Sequence, residues 1–110
     1  MICYVIGEKT TDEPFDRNPF NLKYSEYLMA LGAEIIKLKK AGYLRFVLCS
    51  ETEFVDDFQK ALLFFYNCEI LYSGYLTPIV EYGGVPPEHK FEENDIIIYI
   101  CDGVVSRKAL

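Results

Sequence analysis

Ile96-Ile-Ile-Tyr-Ile-Cys101 runs for six residues without a charged side chain, and no other feature of the chain constrains the fold as much. Side chains of a strand alternate between the two faces of its sheet, so a run that is apolar at every position needs cover on both faces. Strands of that kind belong to parallel sheets, whose crossover helices supply the cover. Met1-Ile-Cys-Tyr-Val-Ile6, which stops at Gly7, and Tyr43-Leu-Arg-Phe-Val-Leu-Cys49 repeat the pattern.

Between the first two runs the period changes. Glu8–Leu22, with Pro14, Asn18 and Pro19, reads as a long loop. Leu28, Leu31, Ile35 and Leu38 then recur at helical spacing and predict a helix over Tyr24–Ala41, closed by Gly42. Ser50-Glu-Thr-Glu53 has the form of a capping box and opens a second helix over Phe54–Tyr66, closed by Asn67. Glu69–Ser73 reads as a weaker third strand, Thr77–Glu81 as a further extended piece, and Gly83–Pro87 as a turn or loop. Asp102-Gly103 ends the last strand, and the final seven residues read as the start of a short helix. Strands alternating with helices predict one α/β domain over residues 1–110, in two or three layers, with a mostly parallel sheet of four to five strands.

Composition narrows the function classes. At 110 residues the chain can bury one core without disulfides or a structural metal. A net charge of −6 disfavours a nucleic-acid backbone as partner. Lys37, Lys39 and Lys40 suit the carboxyl end of a helix dipole and read as a solvated face. Four cysteines form no C-x-x-C pair and there is one histidine, so neither a metal nor another cofactor is expected. Cys3, Cys49 and Cys101 stand in or beside apolar runs, as buried reduced thiols do. No run approaches a membrane span, and Met1–Ile6 is too short, and lacks the basic flank, of a signal peptide. The expectation is a cytoplasmic protein with no membrane partner.

In its first half the chain resembles the SLOG superfamily of Rossmann-like proteins, and within it the YpsA-like branch. The likeness rests on the strand ending in Ile6-Gly7-Glu8-Lys9, the loop pair Pro14-Phe15, and Ala41-Gly42-Tyr43-Leu44-Arg45-Phe46. Val55-Asp56 near the second helix start, Asn94-Asp95-Ile96 and Asp102-Gly103 add to it. The resemblance covers residues 1 to about 62 well and the remainder loosely. It implies a small Rossmann-like fold and a nucleotide-derived ligand. Departures stand at the ligand loops. Glu8 and Lys9 replace a His-Arg pair, and Cys49-Ser-Glu-Thr-Glu-Phe54 replaces a glycine-rich loop. Glu51 and Glu53 put carboxylates at the helix N-terminus, where a phosphate would otherwise sit. Gly83-Gly-Val-Pro-Pro-Glu88 puts prolines, which lack an N–H, where the nucleotide-cleaving relatives need donors to phosphate.

In an open parallel sheet the ligand crevice lies at the carboxyl ends of the strands. That rule selects Gly7, Glu8, Lys9, Ser50, Glu51, Thr52, Asp56, Asp102 and Gly103 as candidate ligand-binding residues, with no catalytic residue among them. Ser50 reads as an N-cap rather than a nucleophile, since no histidine follows nearby as a base. Asp102 reads as part of an Asp-Gly turn, and His89 as an exposed loop residue. Two functions fit: a non-catalytic domain that binds, or descends from binders of, a nucleotide-derived small molecule, and an acidic module that grips a protein partner. With only two long helices, the sheet around Ile96–Ile100 is predicted to lack cover, and a homodimer or higher oligomer to bury it.

Overall fold

The computed structural model describes residues 1–50, 52–66, 78–82 and 92–109. Seven elements follow in chain order: β1 (Ile2–Glu8), α1 (Leu22–Lys40), β2 (Arg45–Leu48), α2 (Glu53–Phe65), β3 (Ile79–Tyr82), β4 (Ile96–Cys101) and β5 (Val104–Ala109). They form one five-stranded sheet in the order β3-β2-β1-β4-β5. The first four strands are parallel and β5 runs antiparallel beside β4, so the protein is an α/β fold with a mostly parallel sheet.

Both helices cover one face. The steps from β1 to β2 and from β2 to β3 move in the same direction across the sheet, so their crossovers place α1 and α2 side by side. Strand alternation fixes what points at them. Cys3, Val5, Phe46, Leu48, Ile96, Ile98 and Ile100 enter one buried cluster with Leu31, Ile35, Leu38, Phe54, Phe58 and Leu62 of the helices. Each large side chain removed from water in this cluster contributes about 1.5–3 kcal/mol. The opposite face carries no helix among the described residues. There Tyr4 and Cys49 are buried, whereas Ile2, Ile6, Val47, Ile97 and Tyr99 are half-buried.

The ends of α1 follow from sequence. Asn21 caps the start, its side chain accepting from Lys23 N–H. At the far end Gly42 takes φ +92°. Its N–H donates to Lys39 O at 3.0 Å and that of Tyr43 donates to Leu38 O at 3.0 Å, a Schellman closure.

Several expectations change. The final residues form β5, not a helix, because Asp102 (φ 48°) and Gly103 (φ 83°) make the tight turn of a β4–β5 hairpin. Lys39 is no solvated residue. It is buried, its ammonium donates to Tyr66 O, and it lies 5.1 Å from the Tyr66 ring centre. Ile96, Ile98 and Ile100 are covered by the helices, so Ile97, Tyr99 and Cys101 of that strand, all half-buried, lie on the second face. β3 begins at Ile79, while Glu69–Ser73, Asn67 and Gly83–Glu88 lie outside the described residues.

Candidate functional site

The carboxyl ends of β1 and β4 sit side by side, Glu8 opposite Cys101, and Asp102 N–H extends the ladder by donating to Glu8 O at 3.0 Å. The chain leaving β1 turns over these ends and bounds a crevice of about 390 Å³. Lys9 and Asp102 line one part of it, Lys23 and Asn21 of the α1 start another, and Phe15 and Phe54 the apolar part.

Phe15 anchors the crevice. Its ring lies edge-on to Tyr27 (5.2 Å between centres) and to Phe54 (5.3 Å), arrangements that suit aromatic quadrupoles. Gly103 passes beneath it so closely that a Cβ there would stand 2.3 Å from Phe15 Cε2. Two polar ties fix the same loop. Asp102 Oδ1 accepts from Thr10 N–H at 2.9 Å, and its other oxygen accepts from the Thr10 hydroxyl. These hydrogen bonds hold the Asp102 carboxyl below the usual range, and the charge of Lys23 adds to the effect. Further along, Arg17 Nη2 donates to Asp57 Oδ2 at 2.7 Å and Nη1 to Glu53 Oε2 at 3.4 Å, while its guanidinium lies 5.1 Å from the Phe15 ring centre. Tyr27 hydroxyl donates to the same Asp57 oxygen at 3.0 Å.

The N-terminus of α2 is filled from within the protein. Thr52, not Ser50, occupies the N-cap, and its hydroxyl makes no capping bond. Ser50 Oγ instead accepts from Gly7 N–H at 2.8 Å and donates to Gly7 O at 3.0 Å, which ties β1 to the chain leaving β2. The predicted capping box therefore does not form around Ser50. Glu53 offers its carboxylate to Arg17 and, at 3.8 Å, to Lys9. Thr52 Oγ1 and Glu53 Oε1 are buried without a hydrogen bond.

Of the residues selected from sequence, Lys9 and Asp102 line the crevice. Gly7 and Ser50 are spent on each other, Glu8 and Asp56 are exposed away from the lining, and Glu51 lies outside the described residues. Sequence reasoning missed Phe15 as the crevice wall and Lys23 and Arg17 as its nearby charges. The Pro14-Phe15 pair was visible, but Arg17 meets Asp57 across 40 positions, a contact that no local pattern encodes. Cys3 and Cys49 are buried thiols, and burial pushes Cys3 up to about 12 and raises Cys49 as well, whereas Cys101, also expected to be buried, is half-buried. Among the described residues there is no cluster able to hold a metal, and no helix is long and apolar enough to cross a membrane. No family model matches the chain, and neither does any curated protein or any solved structure.

Proposed function

We propose that the protein is a non-catalytic, Rossmann-like binding domain that takes a nucleotide-derived small molecule in the crevice beside Phe15, in a reducing cytoplasm. The observation that carries this reading is the position of the crevice. The order β3-β2-β1-β4 of the four parallel strands follows that of the doubly wound dinucleotide-binding sheet, while the antiparallel β5 departs from it, and chain direction across the sheet reverses between β1 and β4. The crevice opens at the carboxyl ends of those two strands. Its volume is within the ordinary range for small-molecule sites, and its lining sets Pro14, Phe15 and Phe54 beside Lys9 and Lys23, together with the carboxylates Glu13, Asp16 and Asp102. The ligand differs from a conventional dinucleotide in how it is held. Glu53 stands at the α2 N-terminus, so anionic groups meet Lys9 and Lys23 rather than helix-end amides. Asp102 and Glu53 are engaged by Thr10, Lys9 and Arg17, which leaves neither as a free general base.

Thermal-shift measurements against nucleotides, sugar nucleotides and NAD fragments test the reading. At least one should raise Tm, and Lys23→Ala should cut that shift. No shift from any member at millimolar ligand would overturn ligand binding.

A second reading, an acidic module for a protein partner on the same scaffold, draws on a different observation: Phe20 (96% exposed) and Met29 (74% exposed) present apolar surface on the helical side. A stoichiometric partner that survives nucleotide competition would favour this reading over the first.

A further inference from the structure

The outer side of the helical layer carries an apolar furrow between α1 and α2. Its two lobes, about 380 Å³ and about 340 Å³, share Leu28 and Phe65. The first is lined by Leu28, Met29, Gly32, Ala33, Ile36 and Phe65, with no polar side chain. The second adds Tyr24, Ala61 and Phe64, the last 67% exposed, and is also lined by Asp57 and Lys60 of α2.

The charges around this furrow are arranged in a self-complementary way. Glu26, Met29, Ala33 and Lys37 are exposed and follow at spacings of three and four, so they share one stripe of α1. The midpoint between Glu26 and Lys37 falls between Leu31 and Gly32, and each charge lies about 8 Å from it along the axis. The stripe is thus acidic on one side of its centre, basic on the other, and apolar between. A two-fold axis through that centre lays α1 antiparallel on α1 of a second copy. Each Glu26 then faces Lys37 of the other copy, and each Met29 meets Ala33. A parallel arrangement would instead set Lys37 against Lys37. Among the described residues of one chain Lys37 makes a loose ion pair with Glu34, 4.0 Å away, and its own side chain is largely in water.

We infer that the occupant of this furrow is a second copy of the chain, docked through α1 as an antiparallel, isologous pair. The small Ala33 at the crossing admits close approach, and Met29, whose side chain adapts to irregular gaps, enters the furrow of the other copy. The site is separate from the crevice beside Phe15, so its fate is independent of ligand binding.

Equilibrium sedimentation of the full chain at micromolar concentrations should give a dimer that weakens with salt. Glu26→Lys sets lysine against lysine twice and should raise the dimer Kd by about tenfold or more. Adding Lys37→Glu to that variant restores both pairs with reversed sign and should return Kd towards the original. Met29→Glu should dissociate the dimer while circular dichroism stays unchanged. A strictly monomeric parent chain would overturn the inference. So would a dimer indifferent to Glu26→Lys and Met29→Glu, which would place the contact elsewhere, such as the half-buried face around Tyr99. Failure of the double charge reversal to restore Kd would do the same.

Discussion

Gly7 was selected from sequence as a candidate ligand-binding residue at the carboxyl end of its strand, yet its open side is filled by the protein itself. A Cβ on Gly7 would stand 2.1 Å from Thr52 Oγ1, 3.0 Å from Val55 Cγ2 and 3.3 Å from Phe54 Cβ. The start of α2 therefore sits directly on β1, and any larger residue must push it away. We expect Gly7→Ala to destabilise the fold by about 1–3 kcal/mol, the usual cost of overpacking. Thr52→Ala should be mild alone, because the hydroxyl makes no capping bond. In combination it removes the nearest obstruction and should recover part of the Gly7→Ala loss. Urea denaturation of the four chains decides it. A Gly7→Ala cost that is the same with and without Thr52 would mean that α2 does not press on β1 there.

At the scale of elements, the segment between β1 and α1 is held at both ends, and the two holds respond to different perturbations. The first is the Asp102–Thr10 pair. Since hydrogen bonding depresses the Asp102 pKa in the folded state, its contribution is fully present above the ordinary Asp value of about 3.9 and is lost as pH falls through the depressed value. An NMR titration should show the Thr10 amide moving together with the Asp102 carboxyl, below the ordinary range. In Thr10→Ala that titration should move up towards the ordinary value. A Thr10 amide that is unchanged between neutral and acid pH would break the link. The second hold is Arg17, whose pairing with Asp57 also occupies the Tyr27 hydroxyl. Arg17→Ala should accelerate limited proteolysis between Lys9 and Phe20 and cost about 1–3 kcal/mol, because Asp57 loses a charged hydrogen-bond partner. Equal cleavage rates in the two proteins would show that the strap does not restrain the segment.

These elements were unevenly legible. The apolar runs of β1, β2 and β4 announce themselves, because these inner strands of the sheet carry apolar side chains on both faces, with Arg45 at the start of β2 as an exposed exception. The carboxyl end of α1 was marked by Gly42, while its start lies at Leu22 rather than Tyr24 because the Asn21 cap falls inside the stretch read as a loop. β5 was missed because it is an edge strand. Arg107 on it reaches back to Glu34 of α1 and the adjacent Lys108 lies over Tyr99, so Val104–Ala109 shows no alternation of apolar and polar residues and reads as the start of a helix. The Asp102-Gly103 pair was the available clue, because that dipeptide favours hairpin turns. The crevice was legible in place and not in membership. The strand-end rule picks out Lys9 and Asp102 of its lining, but Phe15 and Lys23 are brought there from the loop and the start of α1 by contacts between residues distant in sequence.

Over the whole molecule the sheet is not uniform, and β1 is its keystone. It is bonded on both sides, by β2 and β4, and presents Cys3 and Val5, both fully buried, to the helices. β3 and β5 are each bonded on one side within the described sheet. The central pair shares one further tie. Asp95, 2% exposed, accepts from Ile2 N–H at 2.8 Å and from Glu92 N–H at 2.9 Å, so one buried carboxylate joins the start of β1 to the entry of β4. Local opening should therefore be cheapest at β5 and β3 and should approach the cost of global unfolding in β1. Native-state hydrogen exchange should rank the strands in that order. Asp95→Ala leaves Ile2 N–H without its acceptor and should cost about 1–3 kcal/mol. Because the lost tie belongs to both central strands, protection should fall in β1 and β4 together, while the α1 amides that report only global unfolding fall by the same amount. Loss of protection confined to residues 92–95 would show that Asp95 shapes only its own turn. In that case the stability of the central pair would rest on the ladder and the buried side chains alone.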